Sequence, residues 1–170
     1  PTDVNKWADT YSKLAVFNPA IYESLQLLSP PLVFYIDADC LILSDPTPYT
    51  ISTLSHYTEQ NPIKKHGGLL AAAPDVFPPD KFNAGVMILA PMSTKKYNHL
   101  MKNAAVNGRS YDGGDTGYLN WYYPNWFSDT KRFVKLPFKC NAQRILHWFT
   151  NPKRPGYWQQ MAGAEKYGRK

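Results

Sequence analysis

The most continuous apolar stretch, Leu32-Val33-Phe34-Tyr35-Ile36, runs directly into two carboxylates, Asp37 and Asp39, and resumes as Cys40-Leu41-Ile42-Leu43. Because no polar residue alternates with the apolar ones before Asp37, the pattern predicts a strand buried on both faces, as in a parallel sheet covered by helices. Ligands bind outside the carboxyl ends of the strands in such sheets. Asp37 and Asp39 therefore lie at a candidate ligand site.

Apolar runs at residues 69–73 and 84–89, bounded by Gly and Pro, predict two more strands. Apolar residues at helical spacing predict a helix over residues 7–17 and a short one that begins at Pro19. The same spacing predicts a helix capped by Ser93, and another that begins near Asp115. Strands and helices alternate, which predicts one α/β domain over residues 1–170. Three strands are few for a covered sheet, so either further strands are hidden or part of the domain is missing.

Composition narrows the class of protein. With 44% hydrophobic and 19% charged residues the chain is globular rather than disordered. No apolar run approaches the roughly 20 residues of a membrane span. Two cysteines do not make a disulfide scaffold, and Cys40, within the apolar stretch, is predicted to be a buried thiol.

Charge is distributed unevenly along the chain. Residues 129–170 hold 10 of the 19 Lys and Arg residues but only 2 of the 13 acidic ones. A basic region of this kind suits nucleic acid, an anionic membrane or an anionic substrate such as a nucleoside diphosphate, and it also fits a solvated tail. The sequence contains no nucleic-acid-binding motif.

Three motifs carry candidate chemistry. Carboxylates such as Asp37 and Asp39 are hard oxygen ligands that suit Mg²⁺ or Mn²⁺, which commonly also binds substrate phosphates; an isolated pair also fits a solvated loop or a helix cap. Asn83 offers the donor and acceptor that sugar hydroxyls require, and Gly85 permits close approach to the backbone. The segment 112–117 places Asp112 and Asp115 around two glycines at a helix start, a pattern that fits a capping turn or a carboxylate in a cleft.

Together these motifs resemble glycosyltransferase family 8, the glycogenin-like group. The resemblance extends from about Lys13 to Asn120 and rests on five segments in the family's order. They are Tyr11-Ser12-Lys13-Leu14, Phe34-Tyr35-Ile36-Asp37-Ala38-Asp39, Ala72-Ala73-Pro74-Asp75, Phe82-Asn83-Ala84-Gly85-Val86 and Asp112-Gly113-Gly114-Asp115-Thr116-Gly117-Tyr118-Leu119-Asn120.

The resemblance implies a GT-A-type α/β fold with a mixed sheet flanked by helices, a UDP-sugar donor, and Mn²⁺ or Mg²⁺. In this sequence Asp37 and Asp39 match the metal-binding D-x-D, and Asp37 also lies near the ribose. Asp115 matches the carboxylate beneath the transferred sugar and is the candidate catalytic residue. Four positions match contacts of the donor or its metal, namely Lys13, Asp75, Asn83 and Asp112.

Departures from the family pattern predict a partial domain. Family members have nucleotide-binding strands that precede the matched region, and these are expected to lie outside this sequence. The family's third metal ligand is a His in an H-x-x-G-x-x-K-P-W pattern; His147 and Lys153 have its separation, but Thr150 stands where Gly belongs. His147 is therefore a weak candidate ligand. Thr116 stands where a Gln is common in the Asp-Gln-Gly segment of the family.

The sequence thus predicts a metal-dependent, retaining transferase that moves a hexose or uronic acid to a carbohydrate or protein hydroxyl. The alternative is a catalytically inert module that binds a nucleotide-sugar or a carbohydrate. We expect no nucleic-acid partner and no membrane span in this chain. Relatives of this kind act in the cytoplasm or the Golgi, and the sequence leaves that choice open.

Overall fold

The computed structural model describes residues 8–25, 32–57, 67–76 and 80–143. Within these ranges four strands form one mixed sheet with the order β1-β3-β2-β4. Strand β3 pairs antiparallel with both β1 and β2, whereas β4 is parallel to β2. The three predicted strands are present, and the fourth has two residues, too few for a periodic pattern. The strands are β1 (Val33–Ile36), β2 (Gly68–Pro74), β3 (Phe82–Ala90) and β4 (Val134–Lys135).

Helices precede, connect and follow the strands. Asn18 caps α1 by accepting a hydrogen bond from the Ala20 N–H, and Ser93 caps α3 by accepting one from the Lys96 N–H. Residues 8–17 are helical as predicted, but as a 3₁₀-helix. The helices are a first 3₁₀-helix (Ala8–Phe17), α1 (Pro19–Ser24), α2 (Thr47–His56), α3 (Thr94–Ala104), α4 (Asp115–Tyr122) and a second 3₁₀-helix (Phe138–Asn141).

The prediction of a doubly buried strand in a parallel sheet is wrong for β1. This strand pairs antiparallel with β3, and all four of its residues are half-buried. A turn ends it, because the Cys40 N–H donates to the Asp37 carbonyl at 3.0 Å. The apolar residues after the turn are not in a strand, and Leu41 is 80% exposed. Cys40 is half-buried rather than fully buried. The covered inner positions belong to β3, between β1 and β2, and to β2, between β3 and β4.

The core lies on both faces of β3. Successive side chains of a strand point to opposite faces, so Met87 and Leu89 pack on one side, and Val86 and Ile88 on the other. The first 3₁₀-helix, α3 and α4 cover the Met87 face with Leu14, Phe17, Leu100, Tyr118 and Leu119. None of the helices in the described ranges has the length and hydrophobicity needed to cross a lipid bilayer.

The strand directions bring distant segments to one end of the sheet. Because β1 and β2 both run antiparallel to β3, their carboxyl ends lie beside the amino end of β3. Asp37 follows β1, Asp75 follows β2, and Asn83 is the second residue of β3. Strand β4 runs in the direction of β2 and leads to the second 3₁₀-helix, which contains Asn141.

Candidate functional site

One lysine links two of the predicted site carboxylates. The Nζ atom of Lys13 lies 2.9 Å from Oδ2 of Asp37 and 2.7 Å from Oδ2 of Asp115. The Lys13 and Asp115 side chains are only 10% and 8% exposed, whereas that of Asp37 is 28% exposed. Buried charges require partners, and here one ammonium serves two carboxylates. Three predicted residues thus form one ionic cluster.

Backbone contacts hold each member of this cluster in place. The Asp37 N–H donates to the Gly85 carbonyl at 2.8 Å, which joins the end of β1 to β3. Asp115 begins α4, and its N–H donates to Thr10 Oγ1 in the first 3₁₀-helix at 3.1 Å. Lys13 also donates to the Ala84 carbonyl at 3.3 Å. The first 3₁₀-helix therefore ties the start of α4 to the strand ends.

Tyr35 is a contact of Asp37 that the sequence analysis missed. Its hydroxyl donates to Asp37 Oδ1 at 2.7 Å. Burial, followed by the hydrogen bond to Asp37, raises the pKa of Tyr35 well above its ordinary value, so the phenol stays protonated as a donor. Residues i and i+2 of an extended segment lie on the same side, and the spacing of Tyr35 and Asp37 is the signal that was available in the sequence.

Asp39 is exposed and follows Asp37 within the turn at the end of β1. The described ranges contain no group of three or more His, Cys, Asp or Glu side chains arranged to hold a metal. Two carboxylates nevertheless fit Mg²⁺ or Mn²⁺, because such ions are often bound through one or two carboxylates together with water and substrate phosphates. Asp37 keeps acceptor capacity beside its two donors, since a carboxylate offers about four lone-pair sites. His147 lies outside the described residues.

Asn83 is tied to an asparagine that the sequence analysis did not identify. Its Oδ1 accepts from the Gly85 N–H at 2.9 Å and from Asn141 Nδ2 at 2.8 Å. A Cβ atom at Gly85 would lie 3.0 Å from that oxygen, so these side chains lie close to the Gly85 backbone, whereas the approach of a ligand there stays a prediction. Asn141 is buried and lies 58 residues from Asn83, a separation that no local pattern encodes.

Asp75 lies at the same end of the sheet but outside the ionic cluster. Its N–H donates to the Lys81 carbonyl at 2.8 Å, and its Oδ1 accepts from the Val76 N–H at 2.6 Å. Gln143 Nε2 donates to the same oxygen at 3.0 Å, a third contact that the sequence analysis missed.

Asp112 forms the capping turn that the sequence analysis considered. Its Oδ1 accepts from Ser110 Oγ at 2.7 Å and from the Gly114 and Gly117 N–H groups at 2.8 and 3.0 Å. A Cβ atom at Gly117 would lie 2.3 Å from this oxygen, so a larger residue would displace the cap. These bonds hold the start of α4, whereas the predicted contact of Asp112 with the donor stays a prediction.

A groove of about 570 Å³ lies against α4 but contains none of the predicted site residues. It is lined in part by Lys81, Arg109, Tyr111 and Trp121. Trp121 is rotated by about 120° from Asp115 around the axis of α4, given about 100° of rotation per residue, so the two side chains leave the helix on different faces. This groove is therefore not the candidate site.

Comparison with known proteins finds three informative relatives. Glycogenin-1 of Mus musculus is 39% identical over 111 residues, which cover 65% of this chain and 28% of that protein. Glycogenin of Komagataella phaffii is 33% identical over 138 residues, 76% of this chain and 29% of that protein. A protein of Arabidopsis thaliana named as a candidate UDP-glucuronate:xylan alpha-glucuronosyltransferase is 30% identical over 140 residues, 82% of this chain and 20% of that protein.

The chain spans less than a third of the length of each of these relatives. No protein-family model matches it.

Proposed function

The chain belongs to the glycogenin-like glycosyltransferases, and on that basis we propose that it transfers a sugar from a UDP-sugar to a hydroxyl group of a carbohydrate or protein, with retention of configuration. The observation that carries the proposal is the contact of Lys13 with both Asp37 and Asp115. It joins the D-x-D segment to the start of α4, the two motifs that such a transfer requires together.

Asp37 and Asp39 would hold Mn²⁺ or Mg²⁺. When bound, such an ion supplies Lewis-acid stabilisation of the charge that develops on the departing diphosphate. Lys13 keeps the Asp37 carboxylate in one orientation and adds positive charge beside the same region.

Asp115 is the carboxylate that we propose to lie beneath the reacting sugar. Its burial and its ion pair with Lys13 fix its position, as catalysis by a preorganised charge requires. The bond between the sugar and the diphosphate breaks and releases UDP, the bond to the acceptor oxygen forms, and the acceptor proton passes to the departing diphosphate or to water. Retention is consistent with either a covalent intermediate or front-face displacement.

Asn83, Asp75 and Asp112 are proposed contacts of the donor. Within the described ranges no hydrogen bond involves Nδ2 of Asn83 or Oδ2 of Asp75. These atoms supply a donor and an acceptor for sugar hydroxyls at the end of the sheet.

The test is UDP-sugar hydrolysis by the full-length protein with and without Mn²⁺. We expect Asp39→Asn to lower the Mn²⁺-dependent rate at least about 100-fold, because one of two carboxylate ligands is lost. Asp80→Asn removes an exposed carboxylate that pairs with Lys81 rather than with Lys13, and it serves as the matched control. An unchanged rate in Asp39→Asn would exclude the metal role of the D-x-D segment.

The second candidate function is a module that binds a nucleotide-sugar or a carbohydrate without turnover. The observation that favours it is the lack of a third metal-binding side chain within the described ranges. Calorimetric titration with a UDP-sugar and Mn²⁺, followed by assay of the sample for released UDP, separates the two candidates, since an inert module binds while the donor stays intact. The choice between cytoplasm and Golgi stays a prediction.

A further inference from the structure

Tyr35 lies at the end of β1 with its hydroxyl on the carboxylate of Asp37. We propose that Tyr35 is a positioning residue, whose hydroxyl fixes the Asp37 carboxylate in the orientation that binds a divalent cation. The inference rests on the proposed function and goes beyond it by assigning a role to a side chain outside the D-x-D pair.

The strand places Tyr35 where it can act on Asp37. Asp37 directly follows β1, two residues after Tyr35, and its N–H still donates to the Gly85 carbonyl of β3, so the Tyr35 hydroxyl reaches its carboxylate. Tyr35 pairs with Met87 of the central strand, and its ring packs against the core on that face. Its ring is therefore anchored by the sheet while its hydroxyl reaches the site.

The two oxygens of Asp37 have different partners. Oδ1 accepts from the Tyr35 hydroxyl at 2.7 Å, and Oδ2 is 2.9 Å from the Lys13 ammonium. The Asp37 backbone is also held, through its N–H bond to Gly85. A carboxylate held at both oxygens cannot rotate freely about its last side-chain bond, so its remaining lone pairs point in fixed directions.

Tyr35 also contacts the lysine of the cluster. Lys13 Nζ lies 5.6 Å from the centre of the Tyr35 ring, within the range of a cation–π interaction. Replacing Tyr35 with Phe keeps this ring contact and removes only the hydroxyl. That substitution therefore isolates the hydrogen bond to Asp37 from the placement of Lys13.

Loss of the Tyr35 hydroxyl should therefore change the affinity of the protein for the metal rather than its fold. Hydrogen bonds that orient metal ligands are typically worth about 10-fold to 100-fold in affinity. We expect Tyr35→Phe to raise the Kd for Mn²⁺ by about 10-fold, the lower end of that range, because Lys13 still holds Oδ2 of Asp37.

The experiment is calorimetric titration of the full-length protein with Mn²⁺ in the presence of UDP. Tyr22→Phe is the matched control, because the Tyr22 hydroxyl donates to the Val16 carbonyl, outside the cluster. Activity gives a second measurement: Tyr35→Phe should need about 10-fold more Mn²⁺ for half-maximal turnover, and saturating Mn²⁺ should restore kcat. A purely structural role of Tyr35 would lower stability without this rescue.

The outcomes separate this inference from the proposed function. If Asp39→Asn abolishes Mn²⁺ binding while Tyr35→Phe binds as tightly as the wild type or more tightly, the role of Tyr35 is overturned and the metal site stands. If the wild type does not bind Mn²⁺ in the presence of UDP, both are overturned. A weaker affinity in Tyr35→Phe, with Tyr22→Phe unchanged, supports the inference.

Discussion

Lys13 determines the electrostatics of the candidate site, because its ammonium is the charge shared by Asp37 and Asp115. Its side chain and that of Asp115 are almost completely removed from water. Breaking a buried ion pair by removing one partner leaves an uncompensated charge, which costs far more than an exposed pair contributes. The lysine is therefore a structural requirement as well as a candidate donor contact.

Replacing Lys13 with Met should lower the free energy of unfolding by about 3 kcal/mol, the lower end of the range for broken buried pairs, because Asp37 keeps partial access to water. Urea unfolding followed by circular dichroism measures the change. Adding Asp115→Asn to this variant removes the uncompensated charge and should recover part of the loss.

The control for this prediction is Lys95→Met on α3, where the lysine is exposed. We expect a change within about 0.5 kcal/mol at that surface position. An equal loss in both lysine variants would show that the shared ammonium contributes no special stability.

Some residues of the candidate site could be predicted from the sequence, and others could not. Lys13, Asp37 and Asp115 belong to motifs whose types and order are visible along the chain, and the structure joins them. Asn141 and Gln143 contact their partners from 58 and 68 residues away. Such contacts depend on where β4 and the second 3₁₀-helix pack, which no local pattern states.

At the scale of elements, the start of α4 depends on the turn that precedes it. Gly113 has a φ of +79°, a left-handed conformation that glycine adopts without strain. The turn lets the Asp112 carboxylate reach forward to the Gly114 and Gly117 N–H groups. Because Asp115 is the first residue of α4, this cap also sets the position of the candidate catalytic carboxylate.

Two substitutions at Asp112 separate its capping role from donor binding. Asp112→Ala loses the cap and should lower the free energy of unfolding by about 1 kcal/mol. Asp112→Asn keeps an oxygen acceptor, so its stability should stay close to that of the wild type. Thermal unfolding measures both, and donor affinity is measured in parallel.

If Asp112 instead binds the donor through its charge, we expect a different result. Asp112→Asn would then lose donor affinity while remaining as stable as the wild type. If the two variants lose stability equally, the hydrogen bonds to the N–H groups do not account for the cap.

The elements that were predicted correctly carry their signals locally. The cap of α3 is Ser93 itself, and α1 begins at Pro19 as that residue favours. The direction of β1 has no local signal, because antiparallel pairing with β3 is decided by segments about 50 residues apart in the chain. The apolar residues after Asp39 misled the prediction, since a turn separates them from the strand.

At the scale of the whole molecule, two basic side chains of the carboxyl-terminal part, Arg132 and Lys135, are half-buried and lie over aromatic rings. Within the described residues the Arg132 guanidinium lies 4.8 Å from the centre of the Phe133 ring, and Lys135 Nζ lies 4.5 Å from that of Phe127. Cations over aromatic faces gain electrostatic stabilisation and cover apolar surface. Composition alone could not predict these ring contacts.

Buried tyrosines make the whole fold sensitive to alkaline pH. Burial raises the pKa of Tyr57, Tyr118 and Tyr123 well above the ordinary value near 10, so the folded state holds these protons more tightly than the unfolded state. Their contribution to stability is complete below the unfolded pKa and is lost as the pH rises through the folded values. We therefore expect that the contribution of these tyrosines to the free energy of unfolding is constant from about pH 7 to 9 and falls above about pH 10.

Absorbance at 295 nm, which reports phenolate, and far-ultraviolet circular dichroism test this expectation in one alkaline titration. If burial keeps these tyrosines protonated, their phenolate absorbance rises at the same pH at which the helical circular dichroism signal is lost, in a single cooperative transition. Tyrosines that ionise independently near pH 10 while the helical signal persists would contradict it. Such a result would mean that water reaches Tyr123, whose hydroxyl accepts from the Leu69 N–H at the start of β2, and that the Met87 face of the core is open there.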